Sequence, residues 1–243
     1  MIITPEHVFS PSQINTVETC PYQWKSSRLH FPRIFTESKY ADAGSVVHNS
    51  IAEYYKVINP TPSRGTIKGT IQTILERNWK ASGLKGLDSR RDKCMQNFIK
   101  FEIKRLGSWK QYKPTYVEQR MKAKINGIRY YTIVDTYWEE DATIVDWKTG
   151  NINSIGTTER IQGQVMKMVI EAYQKPVRRV IFVALKIGLD LTMPATTYGF
   201  VEAKVKSIFE RDRLNDFPKK RSSLCSWCGY SIRCNLEGRC LWM

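Results

Sequence analysis

Through the first hundred residues the apolar positions recur every three or four places, the period of a helix packed on one face. Residues 11–20 form the first such stretch, with Ser10 or Ser12 placed to cap it and Pro21 to end it. Gly44 to Val57 carries Val46, Val47, Ile51, Tyr54 and Tyr55 at helical spacing and stops before Asn59-Pro60. A turn is predicted at 60–65, and two further helices over 66–80 and 89–106, parted by Gly83 and Gly86.

The period changes at Pro114. Tyr116–Ile125, Ile128–Trp138 and Thr143–Lys148 are short β-rich runs. Asn126-Gly127 between the first two is a strong hairpin signal, and the acidic turn Glu139-Glu140-Asp141 divides the second pair. Helical spacing returns over 158–174, with Ile161, Val165, Met168 and Ala172 in one stripe. Pro176 ends it, Val177–Leu185 reads as a strongly apolar strand, and a basic, partly helical tail over 202–221 leads to a cysteine cluster. The order predicts an α/β (α+β) core with a helical N-terminal insert.

Apolar residues at 42% and charged residues at 25% are ordinary globular values, and they exclude a disordered chain. The longest apolar run, Val180 to Leu185, is far short of the ~20 residues that span a bilayer. Met-Ile-Ile-Thr-Pro-Glu-His lacks the basic-then-apolar order of a secretory signal, so the expected setting is cytoplasmic, with no membrane partner. Charge adds more. With 38 basic against 23 acidic side chains the net charge is +15. That favours a polyanion, most simply nucleic acid, because each phosphate neutralised releases a counterion.

Asp146 and Lys148 alternate onto one face at the end of the third β-run, and Asp135 interrupts the apolar run before it. A hairpin turning at 139–141 makes Asp135 and Asp146 near partners, and two close carboxylates repel unless a cation lies between them. His48 falls on a predicted helix, and Glu118 sits in the first β-run. Cys225, Cys228 and Cys234 form a C-x2-C-x5-C triplet, with Cys20 far away in Cys20-Pro21-Tyr22. Four thiolates suit tetrahedral zinc or an iron–sulfur cluster, and spacing does not separate the two. Such a site would clasp nearly the whole chain shut. Cys94 reads as a buried thiol and Cys240 as a spare. Tyr54, Tyr55, Trp79 and Trp109 are core aromatics or base-stacking groups.

In this order the motifs resemble the RecB-like branch of the PD-(D/E)XK nucleases. More specifically, they resemble the iron–sulfur kind found in AddB-type helicase-nucleases and in CRISPR-associated and viral single-domain nucleases. The resemblance is carried by Ser10-Pro11-Ser12 through Cys20-Pro21-Tyr22, by Gly44-x3-His48, by Ile133-Val134-Asp135, by Asp146-Trp147-Lys148-Thr149-Gly150 and by the cysteine triplet. Thr132 stands where the family usually has glycine. The helix motif Gln-x3-Tyr is matched only as Gln162-x3-Met166 or Gln164-x3-Met168, and helical geometry does not choose between them.

The resemblance implies a restriction-endonuclease-like mixed sheet flanked by helices in one domain, 1–243. Within it, 1–30 and 218–243 would form an iron–sulfur clasp, 40–110 a helical segment and 114–200 the nuclease core. His48, Asp135, Asp146 and the Trp147 carbonyl would hold Mg²⁺ or Mn²⁺, and Lys148 would serve the attacking water. Cys20, Cys225, Cys228 and Cys234 would bind [4Fe–4S], with Zn²⁺ as the alternative. Glu118, Gln162 and Gln164 would contact substrate. The implied activity is metal-dependent exonuclease cleavage of single-stranded DNA or DNA ends, in a prokaryotic or viral setting. The sequence has no G-x4-G-K-[ST] loop, so a helicase or a repair, replication or CRISPR partner would supply unwinding. The rival reading is a non-catalytic nucleic-acid-binding protein with a structural zinc or iron–sulfur site. Oligomeric state is open.

Overall fold

The computed structural model of the chain describes residues 3–4, 6–31, 33, 38–194 and 197–236. Its elements run β1 (Val8–Phe9), α1 (Pro11–Thr19), α2 (Pro21–Arg28), α3 (Lys39–Val57), α4 (Arg64–Ser82) and α5 (Asp88–Arg105). Then come β2 (Tyr116–Ile125), β3 (Ile128–Trp138), β4 (Thr143–Lys148), α6 (Thr157–Ala172), β5 (Arg179–Ala184), β6 (Leu189–Thr192), α7 (Gly199–Leu214), a 3₁₀ turn (Ser223–Trp227) and α8 (Ser231–Leu236). No helix among the described residues is long and apolar enough to cross a membrane.

The strands make one mixed six-stranded sheet in the order β1-β3-β4-β5-β6, with β2 added on β3. β1 with β3 and β4 with β5 run parallel; the other neighbours are antiparallel. The β2–β3 hairpin turns at Asn126 (φ 50°) and Gly127 (φ 80°), the two positive φ values a tight hairpin turn of matching twist requires.

One core lies on the α6 and α7 side of the sheet. Ile161, Val165 and Val169 of α6 pack there with Val201 and Val205 of α7, and with Phe9, Ile14 and Trp24 from the N-terminal segment. A second core lies between the sheet and α3–α5, built from Val47, Ile51, Tyr55, Ile71, Phe98 and Trp147. Tyr54, Tyr55 and Trp79 are buried in it and Trp109 packs against it, so these aromatics serve packing rather than base stacking.

Four local outcomes differ from the sequence expectation. α1 ends before Pro21 as expected, but Pro21 then opens α2, since a proline at the first helical position gives up only an N–H that would be unsatisfied there. α3 begins five residues before Gly44, because Ser38 caps it by accepting from Ala41 N–H. In the basic tail, α7 stops at Leu214, where Asn215 takes a left-handed conformation (φ 51°), and residues 215–222 are not helical. β6 is too short and polar to signal itself; it exists because β5 offers it a partner edge.

Candidate active site

The site forms where β3 parts from β4. Their ladder pairs Trp138 with Thr143, Tyr137 with Ile144 and Thr136 with Val145, and the next rung would join Asp135 to Asp146. There the backbone pairing ends. The Asp135 carboxylate reaches across instead, its Oδ2 accepting from Trp147 N–H at 2.9 Å. On the other side of β3 the register sets Glu118 opposite Asp135, between the pairs Val117–Thr136 and Gln119–Val134. Glu118 is the one residue of β2 with positive φ (48°). Both strands slip out of alternation at this level: Val117 and Trp138 face the second core, whereas Met121 and Val134 face the first. A kink in paired strands re-aims side chains that a regular pleat would send to opposite faces.

α3 brings His48 to the kink. His48 Nδ1 lies 3.5 Å from Asp135 Oδ2 and 3.8 Å from Glu118 Oε1. One ligand atom from each of His48, Glu118 and Asp135 falls within 4.8 Å of the other two. The close approach of α3 depends on Gly44, whose added Cβ would stand 2.9 Å from Thr149 Oγ1. Two motifs a hundred residues apart, Gly44-x3-His48 and Asp146-Trp147-Lys148-Thr149, therefore touch. Arg90 of α5 closes the same corner by donating to the Thr149 carbonyl at 2.7 Å.

Asp146 approaches from β4 and is engaged separately. Its Oδ1 accepts from Gln162 Nε2 at 2.5 Å, and its Oδ2 lies 2.8 Å from Lys148 Nζ without hydrogen-bond alignment. Lys148 in turn donates to Gln162 Oε1 at 2.6 Å. α6 thus presents Gln162, not Gln164, to the site; Gln164 is fully buried within the fold. Glu159 at the helix start accepts from Gly156 N–H and fixes the entry of α6.

The electrostatics are unbalanced. Burial, reinforced by the neighbouring Asp146 charge, pushes the Asp135 carboxyl up to about 7. Burial pulls His48 down, but Glu118, Asp135 and Asp146 together outweigh it and hold the imidazole above its ordinary value. Burial likewise lowers Lys148, and Asp146 more than restores it, so the ammonium stays charged. Three carboxylates converge on one imidazole and one ammonium. Oxygen and imidazole donors with surplus negative charge suit a hard or borderline divalent cation. The donor set fits Mg²⁺ or Mn²⁺.

The cysteines meet in a second cavity, beyond the C-terminal end of α1. Cys20, Cys225, Cys228 and Cys234 line one cavity together with Tyr22, Lys219 and Lys220. Cys20, Cys225 and Cys228 are free thiols, as is Cys94, which is buried in α5 with its thiol pushed up to about 11. Cys240 lies outside the described residues. Among the described residues, no three cysteine sulfurs come within 4.8 Å of one another. The donors are right for a thiolate-bound metal group.

A family model for the PD-(D/E)XK nuclease superfamily matches residues 8–235. The chain belongs to that superfamily. It is also similar in fold to a crystal structure of a candidate exonuclease from Eubacterium rectale, with a TM-score of 0.54 at 11% identity, covering 97% of this chain and 90% of that one. No curated protein matches it. The mixed sheet flanked by helices is the fold of the superfamily, and the chain is a metal-dependent nuclease of this class.

Sequence reasoning underrated Glu118. The signal was present in the strand pattern, where Glu118 and Asp135 lie equally far from the Asn126-Gly127 turn, so a two-residue hairpin sets them opposite each other.

Proposed function

We propose that this nuclease is an exonuclease of the RecB/AddB-like iron–sulfur type acting on single-stranded DNA or DNA ends. One observation supports the catalytic assignment above others: His48, Glu118, Asp135, Asp146, Lys148 and Gln162 converge from five different elements at one break in the sheet. His48, Asp135, Asp146 and the Trp147 carbonyl would hold the cation, with Glu118 joining them from β2. When bound, a divalent cation offsets phosphoryl charge and lowers the pKa of a water placed against the scissile phosphate. Asp135 is steadied by Trp147 N–H and keeps its second oxygen for the cation. Lys148, held charged by Asp146, presents a cation to the developing oxyanion. Gln162 bridges Asp146 and Lys148, so it positions both.

The four cysteines hold a [4Fe–4S] cluster as a structural clasp between the N-terminal segment and the C-terminal turn. The choice of a cluster over zinc rests on the motif resemblance, since four thiolates suit either. Exonuclease action rests on the motif resemblance, and the similar Eubacterium rectale protein carries the same description.

Cleavage of end-labelled single- and double-stranded DNA with Mg²⁺ or Mn²⁺ tests the assignment. Asp146→Ala and Lys148→Ala should each lose cleavage and keep DNA binding, and undiminished cleavage by either would refute it. Iron and zinc analysis of anaerobically prepared protein, with absorbance near 400 nm, tests the clasp. Cys225→Ser should be colourless and melt at lower temperature.

A further inference from the structure

The hairpin β2–β3 continues past the candidate metal site as an open basic face. Met121, Ala123 and Ile125 of β2 turn into the core on the α6 side, as do Tyr130 and Val134 of β3. Alternation sends the residues between them the other way. The register pairs Lys124 with Arg129, Lys122 with Tyr131 and Arg120 with Ile133. The next rung of that same face is Glu118 with Asp135, so the metal-site carboxylates are the last step of this ladder. Arg120, Lys122 and Lys124 are exposed, and Ile133 is 38% exposed, so no helix among the described residues covers this part of the sheet.

Its charge is available. Arg129 is paired with Glu6, but Arg120, Lys122 and Lys124 make no ion pair among the described residues. Alternate residues on a strand stand about 7 Å apart, comparable with successive phosphates along a nucleic-acid strand. Tyr131 adds a ring among the cations, beside the groove that holds Asp135, Glu118 and Gln162. Exposed lysines on an edge strand also guard against pairing with another sheet, and β2 is such an edge. That duty requires charge on β2, yet it does not require the charges to line up with the metal site.

We propose that this hairpin face is the track on which one strand of the DNA substrate is led into the site, its phosphates held by Arg120, Lys122 and Lys124. The proposal rests on the nuclease reading of the site and extends it to the substrate's path.

The test is the salt dependence of binding. A labelled single-stranded oligonucleotide is titrated without divalent cation at several salt concentrations, so the readout stands even if the protein cleaves nothing. The variant Arg120→Gln/Lys122→Gln/Lys124→Gln should lower the slope of log K against log salt by about 2, since each single-strand phosphate contact contributes ~0.7. Lys122→Arg/Lys124→Arg should keep the wild-type slope. In cleavage assays the triple variant should raise KM about tenfold and leave kcat within twofold. A matched loss of charge on the helical layer, Lys68→Gln/Lys80→Gln/Lys85→Gln, should leave the slope near wild type. An unchanged slope in the hairpin variant overturns the proposal, and so does an equal fall in the helical one. Aggregation of the hairpin variant with an intact slope would assign these residues to edge protection instead.

Discussion

Two clusters of buried charge lie within this fold, and they are built on opposite terms. In the helical layer Glu102 and Arg105, one turn apart on α5, are almost wholly inaccessible and form a two-armed ion pair, Nε to Oε1 and Nη2 to Oε2, both at 2.7 Å. Tyr55 donates to Oε1 at 2.6 Å and Tyr54 to Oε2 at 3.4 Å, while Tyr112 meets Tyr54 at 2.5 Å. The guanidinium is further covered by the rings of Tyr112 and Trp138, 4.1 and 4.7 Å from their centres. One carboxylate faces one guanidinium, with tyrosine hydroxyls on the remaining carboxylate positions and aromatic rings over the guanidinium, whose Nη1 has no hydrogen-bond partner among the described residues. Burial and the Glu102 charge keep the Tyr55 hydroxyl protonated at any ordinary pH.

At the break in the sheet, by contrast, three carboxylates face one ammonium and one imidazole. Asp135 is pushed toward neutrality, and Asp146 Oδ2 has an ion pair but no hydrogen bond. The lesson is that burial of charge does not mark a functional site. Crowding of like charge does: Asp135 and Asp146 are buried side by side and the exposed Glu118 adds a third negative charge, an arrangement that a cation relieves.

The largest expected effect tests the unbalanced cluster. Asp146→Ala or Lys148→Ala should lower kcat by about three orders of magnitude or more, read by single-turnover cleavage. Asp146→Ala should move the melting temperature little, because it also removes one of the crowded carboxylates, whereas Lys148→Ala leaves buried Asp146 without its ion pair and should lower it. Loss of both activity and folding would erase the distinction between the clusters.

The balanced cluster should respond oppositely. Glu102→Ala leaves Arg105 buried and unpaired, and should destabilise the protein by about 3–5 kcal/mol. Chemical denaturation reads this directly. Glu102→Leu/Arg105→Met, which removes both charges, should recover most of the loss.

A subtler test uses pH. The folded value of Asp135 lies above its unfolded value of 3.8, so the folded state binds the proton more tightly. Its stabilising effect is therefore present at acid pH and is lost as pH rises from about 4 to about 7. His48, raised above 6.5, loses its contribution in the same direction as pH passes its folded value. The metal-free protein should melt lower at pH 8 than at pH 5.5, and Asp135→Asn should shrink that difference by about 3–6 °C. A wild-type curve no steeper than that of Asp135→Asn would show that the cluster is not electrostatically strained. The smallest effect belongs to the same comparison: Mn²⁺ at 1 mM should raise melting by a few degrees at pH 8, and by less at pH 5.5 where protons compete.

Much of this protein was legible in its residues alone. The period of the apolar positions marked α3–α6 and β2–β5, since each buries one face and needs the matching repeat. Asn126-Gly127 fixed a hairpin, because only residues tolerant of positive φ close a two-residue turn. The carboxylates of Asp135 and Asp146, the imidazole of His48 and the ammonium of Lys148 stood out as chemistry in otherwise apolar surroundings. Tertiary structure decided the rest. Gln162 rather than Gln164 reaches Lys148, since that choice depends on how α6 is rolled against β4. Glu118 joins His48 only because both strands kink at one level, a distortion stabilised by contacts between distant elements. α2 and β6 form for a like reason: their own sequences are weak, and a neighbour supplies the packing face or the hydrogen-bonding edge. A sequence states what each residue is able to do, but the meeting of Gly44 with Thr149 or of Cys20 with Cys228 is a long-range event, set by the packing of the whole chain.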